Sequence, residues 1–322
     1  MSYKQLAAAL LTGTLLLCSF GCASRSESDP SSQNGEQNVK LGVSLTALRR
    51  VEVQKAQIEG IAAAVLVDEE GKILACKLDE WELPLQLSDG KLDTVTDWRT
   101  KAAKKEDYGL KENGSVYEWY EQAAAFCAYV KGMTAADVAS IPLNDGKAAD
   151  ADLVSKCSIV ISGFVSAVEQ AVKNAVLCDA AADDTLGLAI TLFDGGESRS
   201  VEITGEVSAV ACDAQGKVTA AFIDEIAMPL SVNEGNFTDK DGAFSSKKQQ
   251  GTAYGMKAQS AIGKEWFEQV HTLETALLGK TATGIRSLPL KDGRPADADI
   301  AAGCTIDVSS LLVNAIKAVN DA

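Results

Sequence analysis

Asp297-Ala298-Asp299-Ile300-Ala301-Ala302-Gly303-Cys304-Thr305-Ile306 orders the reading of the whole chain, because it also occurs earlier as Asp150-Ala151-Asp152-Leu153-Val154-Ser155-Lys156-Cys157-Ser158-Ile159. Each copy leads, after a short turn, into an apolar stripe. In the later copy this is Leu311, Leu312, Ala315, Ile316 and Val319, and in the earlier one Phe164, Val165, Val168 and Val172. That spacing is one face of an amphipathic helix, with Ser162 and Asp307 or Ser309 as candidate caps. A hydroxyl, Ser158 or Thr305, therefore stands shortly before a helix N-terminus in both copies. The first amides of a helix are unpaired and its dipole is positive at that end, so such a place suits a phosphate.

The similarity extends outward from this stretch. Leu41-Gly42-Val43 matches Leu186-Gly187-Leu188, Asp68 to Lys72 matches Asp213 to Lys217, and Asp79-Glu80 with Pro84-Leu85 matches Asp224-Glu225 with Pro229-Leu230, all at one offset. After a one-residue slip, Tyr108-Gly109-Leu110-Lys111 matches Tyr254-Gly255-Met256-Lys257. After a second slip, Glu118 to Gln122 matches Glu265 to Gln269, and Pro142 to Gly146 matches Pro289 to Gly293. So few slips over so long a stretch indicate a duplicated unit, with a period too long for a solenoid.

Within a unit, Ile61–Val67 and Ile73–Leu78 flank an Asp-rich turn ending in Gly-Lys, and Val207–Cys212 with Val218–Ile223 repeat the pattern, which predicts a hairpin. A polar, poorly patterned segment follows. Trp119, Ala123, Phe126 and Val130, like Trp266, Val270, Leu273 and Leu277, then predict a helix with one apolar face. Gly132 or Gly279 ends it, and Thr134 or Thr281 starts a short helix. The expected fold class is α+β: two homologous tandem domains, residues 38–178 and 184–322, each a small, mostly antiparallel sheet with packed helices. With 322 residues the chain is long enough for each to bury a core of its own.

Thirty Lys and Arg against forty-five Asp and Glu give a net charge of −15. So acidic a surface repels nucleic acid and anionic headgroups, and nucleic-acid binding is discarded. Residues 1–21 read as a signal peptide, with Lys4 as the charged part and Leu6 to Phe20 as an apolar run too short to span a bilayer. Ser19-Phe20-Gly21-Cys22 resembles a lipobox, which makes Cys22 the expected lipidation site. An ordinary secretory peptide cut nearby is the plainer alternative. Residues 22–37 hold almost nothing apolar and read as a disordered tether. The expected location is the extracytoplasmic face of the cell membrane. Cys76, Cys127, Cys157, Cys178, Cys212 and Cys304 show no repeated disulfide framework and read as small buried residues. Unpaired thiols in an exported protein point to a reducing or anaerobic habitat.

Most enzyme constellations are absent. The single histidine, His271, lies only in the second copy, on a helix, where a satisfied or exposed residue is the plain reading. There is no zinc spacing, phosphate loop, dinucleotide fingerprint or Ser-His-Asp pattern. The pairs Asp150/Asp152 and Asp297/Asp299 could face a hard cation or could be turn residues, and no full set of oxygen ligands accompanies them, so no metal is assigned. Trp119 and Trp266 could stack on a planar ligand or belong to the core.

The order of these features resembles the FMN-binding domain family: a hairpin with a Gly-Lys turn, a Tyr-Gly turn, a helix ending in Gly-Lys, then Asp-x-x-Ser-Gly-Ala-Thr-x-Thr-Ser and a closing helix. In the second copy Gly303 and Thr305 match the motif, with Ala302 for its Ser and Cys304 for its Ala. In the first copy Ser155 matches, while Lys156, Cys157 and Ser158 depart from it. The resemblance implies FMN attached by a flavin transferase through a phosphodiester to Thr305, with Ser158 the poorer acceptor and Gly303, Asp299 and Asp152 as cofactor-binding positions. It implies membrane redox proteins as partners, electron transfer outside the cytoplasm, and no catalytic residue, since the redox chemistry belongs to the cofactor. The other expectation is a non-catalytic cell-surface binding module that keeps the fold without flavin.

Overall fold

The strand Ile61–Val67 is buried on both faces, and the fold follows from that. Ala62, Ala64 and Leu66 point into one core and Ile61, Ala63, Val65 and Val67 into another, so the sheet holding them must be covered on both sides. The computed structural model describes residues 38–194 and 200–322. The expected signal peptide, Cys22 and the tether lie outside the described residues. No helix among the described residues is long and apolar enough to cross a membrane.

In the first half, β1 (Lys40–Val51), β2 (Lys55–Val67) and β3 (Ile73–Ser88) form an antiparallel meander, extended by β4 (Lys91–Leu92). The one-turn α1 (Lys101–Lys104) and then α2 (Trp119–Tyr129) and α3 (Ala135–Ala139) follow. A small hairpin, β5 (Leu143–Asn144) with β6 (Lys147–Ala148), precedes the one-turn α4 (Ala151–Val154) and the closing helix α5 (Ser162–Lys173). A short β7 (Val176–Leu177) pairs back onto β1. The second half runs in the same order, with one added strand and no counterpart of β7: β8 (Thr185–Asp194), β9 (Ser200–Cys212), β10 (Val218–Asn233), β11 (Asn236–Phe237) and the added β12 (Gly242–Phe244), then α6 (Lys247–Gln250), α7 (Trp266–Leu277) and α8 (Ala282–Arg286), the hairpin β13 (Leu290–Lys291) with β14 (Arg294–Pro295), α9 (Ala298–Ala301) and α10 (Ser309–Asp321). The chain is α+β with antiparallel sheets, as its pattern indicates.

The two sheets pack face to face. Ile58, Trp81 and Leu83 of the first meet Ile203, Ile226 and Met228 of the second in a shared central core. The outer faces are covered by α2 and α5 on one side and α7 and α10 on the other, which gives four layers. Each half therefore has an outer core of its own and depends on the other for its inner one. Further ties cross between the halves. β12 pairs with β1, in register Ala47 with Phe244, Arg49 meets Asp239 at 3.2 Å, and Lys77 meets Asp321 at 3.0 Å.

Two matched glycines set how close the closing helices come. A Cβ on Gly42 would lie 2.0 Å from the Ala171 carbonyl oxygen of α5, and one on Gly187 would lie 1.9 Å from that of Ala318 on α10. The repeated Leu-Gly pairs thus allow strand and helix backbones to touch.

A second matched pair explains α1 and α6, which the sequence pattern does not reveal. Asp79 is half-buried in β3 and accepts the Ala102 amide at 2.9 Å. Asp224 in β10 accepts the Lys248 amide at 3.0 Å and the Ser246 hydroxyl. Each carboxyl fixes a one-turn helix whose cap is Thr100 or Ser246. Burial pushes the Asp79 carboxyl up to about 7 and that of Asp224 up to about 6. The next residues, Glu80 and Glu225, pair with Lys101 and Lys247. Lys247 also lies 5.2 Å from the ring centres of both Tyr254 and Trp266.

Candidate functional site

The helices α2 and α7 are apolar on the face that meets the sheet, yet each carries a glutamine on that stripe. Gln122 and Gln269 are both 1% exposed, and a buried amide must find partners. The Gln269 Oε1 accepts the Thr305 amide at 2.9 Å and the Thr305 hydroxyl at 3.1 Å. Its Nε2 donates to the Ser260 hydroxyl at 3.2 Å and the Lys264 carbonyl at 3.2 Å. Gln122 does the same in the first half, taking the Ser158 amide at 2.8 Å and its hydroxyl at 3.3 Å, and donating to Ser115 and the Tyr117 carbonyl. One glutamine per half thus ties the hydroxyl residue to the turn after the Tyr-Gly pair. The signal was present in the sequence, as a polar residue repeated three positions after the Trp on an apolar face.

Beside Thr305 lies a cavity of about 630 Å³, lined among others by Tyr254, Met256, Ser260, Gln269, Arg294 and Thr305. Thr305 is half-buried on its wall, while Ser158 is exposed. Arg294 also borders a second hollow, lined with Lys291, Asp292, Pro295 and Ala296 of the β13–β14 hairpin and its flank.

Helix capping differs from the sequence expectation. Ser162 and Ser309 are the first helical residues, with Ile161 and Val308 at the caps. The Asp307 carboxylate accepts the Ser309 amide at 2.9 Å, and the Gly293 carbonyl accepts that of Val308 at 2.9 Å. In the first half the Gly146 carbonyl accepts the amides of both Ile161 and Ser162. The leading amides of the closing helices therefore meet groups of the chain itself, and the Ser158 and Thr305 hydroxyls are bonded to glutamines instead. Gly293, with φ of 77°, makes room for Asp307, since a Cβ there would lie 2.3 Å from the carboxylate.

Of the other sequence-derived positions, Gly303 is buried, and a Cβ on it would lie 2.5 Å from the Thr272 hydroxyl of α7, so its place is one of close packing. Asp152 and Asp299 are exposed in the first turns of α4 and α9. Asp150 and Asp297 cap those turns, each accepting two amides. Among the described residues no group of three His, Cys, Asp or Glu side chains is placed to hold a metal. Trp119 and Trp266 are core residues, the former edge-on to Phe164 at 5.7 Å. His271 is exposed and faces Glu274 at 3.6 Å. All six described cysteines are free thiols, and burial pushes Cys157 up to about 11.

No family model and no solved structure matches this chain. One stretch is similar to a chlorophenol reductase. Over 56 residues the chain is 41% identical to that protein of Desulfitobacterium hafniense, a match covering 16% of this chain and 17% of the relative. The chain thus spans about a sixth of the length of the curated relative it matches.

Proposed function

We propose that this protein is a lipoprotein held through Cys22 at the extracytoplasmic face of the cell membrane, with two homologous tandem units of the FMN-binding type, and that it carries flavin for electron transfer. The observation that carries this reading is the Thr305 hydroxyl on the wall of a cavity it shares with Arg294. The residues fit a phosphate-bearing planar ligand. Thr305 offers an oxygen held in place by Gln269, Arg294 a cation for the phosphate, and Tyr254 and Met256 an apolar wall for a ring. FMN bound there would supply the electron transfer, and the chain would supply position and electrostatics. In that role the protein needs no substrate-turnover site of its own. The partners are a flavin transferase and membrane redox proteins. The partial likeness to a protein named a reductase agrees with a redox setting.

One observation favours a second reading, a cell-surface binding module without flavin. The Asp307 carboxylate stands at the N-terminus of α10, where a phosphate would gain most from the helix, and it opposes a second anion. Coexpression with a flavin transferase separates the two. The first reading expects a yellow protein whose flavin fluorescence survives a denaturing gel, and the second a colourless one.

A further inference from the structure

The two halves hold one carboxylate in two different states. Glu118 and Glu265 are matched N-caps of α2 and α7, each in a capping box with the glutamate three residues on, and they are 2% and 4% exposed. In the first half, Glu118 also accepts two amides from the turn after the Tyr-Gly pair, Leu110 at 2.9 Å and Lys111 at 3.1 Å. In the second half, the Glu265 Oε2 is buried and has no hydrogen-bond partner. A buried carboxylate oxygen without a donor is costly, so the chain keeps the acceptor and has withdrawn the donors.

The sequence shows how. Gln122 and Gln269 fix Ser115 and Ser260 as equivalent points. Lys111 and Ser115 are separated by Glu112-Asn113-Gly114, whereas Lys257 and Ser260 are separated by Ala258-Gln259 alone. The longer turn uses Gly114 at φ 90° and an Asn113 bond to the Gly109 carbonyl, and it leaves Gly109 buried. The shorter one leaves Gly255 exposed, and its Tyr254–Ala261 segment forms one wall of the cavity beside Thr305.

We infer that residues 255–264 form a lid with two positions: the open one seen here, and a closed one copied from the first half, in which the Met256 and Lys257 amides sit on the Glu265 carboxylate. Glu265 is the catch, and the redistributed loop, with two residues instead of three before the serine and four instead of two after it, biases the second half towards open. Closure moves the cavity wall, so the lid governs access to the ligand site. Its purpose rests on the flavin reading, but its existence does not.

Amide hydrogen exchange on the exported chain tests the lid. Met256 and Lys257 should exchange about tenfold or more faster than Leu110 and Lys111. Replacing Ala258-Gln259 by the sequence of residues 112–114 should slow Met256 and Lys257 to the first-half rate, and adding Glu265→Ala to that graft should restore fast exchange. Equal rates in the unaltered chain would overturn the lid. So would a graft that leaves both amides fast while the Ile223 amide, bonded to Glu274, stays protected. If the graft does not fold, Glu118→Ala decides: it should raise Leu110 and Lys111 to the rates of Met256 and Lys257, and unchanged rates reject the proposal. Intact mass reports flavin separately, so a chain with these rates and no flavin keeps the lid and loses the flavin reading. A flavin-bearing chain with four equal rates does the reverse.

Discussion

Gln269 holds Thr305 twice, by its amide at 2.9 Å and by its hydroxyl at 3.1 Å, and Gln122 holds Ser158 in the same way. Gln269→Ala would leave the Thr305 donors and the Ser260 hydroxyl without their buried partner. The expected loss is about 1–3 kcal/mol of stability, read as a lower urea midpoint. Flavin attachment should fall more than stability does, and Gln122→Ala should cost similar stability while leaving attachment at Thr305 unchanged.

Gly42 and Gly187 lie where strand backbone meets the closing helix of each half. Either changed to Ala forces the helix away, and overpacking of this kind costs about 1–3 kcal/mol. Gly71→Ala, at a turn whose added Cβ meets nothing within 4 Å, is the comparison. Its cost is that of the positive φ alone and should be smaller, about 1 kcal/mol. Chemical denaturation of the three variants checks the order.

Asp79 and Asp224 titrate from about 7 and about 6 in the folded chain, against an ordinary value of 3.8. The folded state therefore binds more protons than the unfolded one between those limits. These two groups contribute most below pH 4, and the contribution is lost as pH rises through 6 to 7. Each withdraws up to ~1.4 kcal/mol per pH unit within its window. Asp79→Asn keeps a side-chain oxygen for the Ala102 amide and removes the proton. Urea midpoints at pH 5 and pH 7.5 should differ less in this variant than in the unaltered chain.

Five of the six described thiols are buried, with Cys178 half-buried. An alkylating reagent should modify Cys178 first in the native chain and Cys76, Cys127, Cys157, Cys212 and Cys304 only after unfolding. Mass spectrometry of the labelled chain reads this directly, and a cross-linked pair among them would contradict it.

The hairpins and long helices were legible because their periods are strong: Ile61–Val67 with Ile73–Leu78, and the Trp119 and Trp266 stripes. The shared inner core was not, since a strand apolar on both faces does not say what covers it. The one-turn helices α1 and α6 are too short to show a period and owe their places to Asp79 and Asp224, which repeat in sequence without revealing their partners. The Asp-x-Asp pairs were legible as a repeat, yet Asp150 and Asp297 serve as caps and Asp152 and Asp299 stand exposed in the first turns. At the candidate site, Thr305 and Ser158 could be named from their motif. Gln269 and Gln122 left a signal, a polar residue repeated on an apolar face, but neither they nor Arg294 show in sequence which hydroxyl they stand beside, because what joins them is tertiary contact. The helix N-terminus misled for a local reason: Asp307 sits close enough to take the amide itself.

The flavin proposal is tested most directly by the intact mass of the exported chain made alongside a flavin transferase. It predicts a mass raised by one FMN, an increase absent from Thr305→Ala and retained in Ser158→Ala. A mass equal to that of the bare lipidated chain, or an FMN adduct that persists in Thr305→Ala, would contradict it.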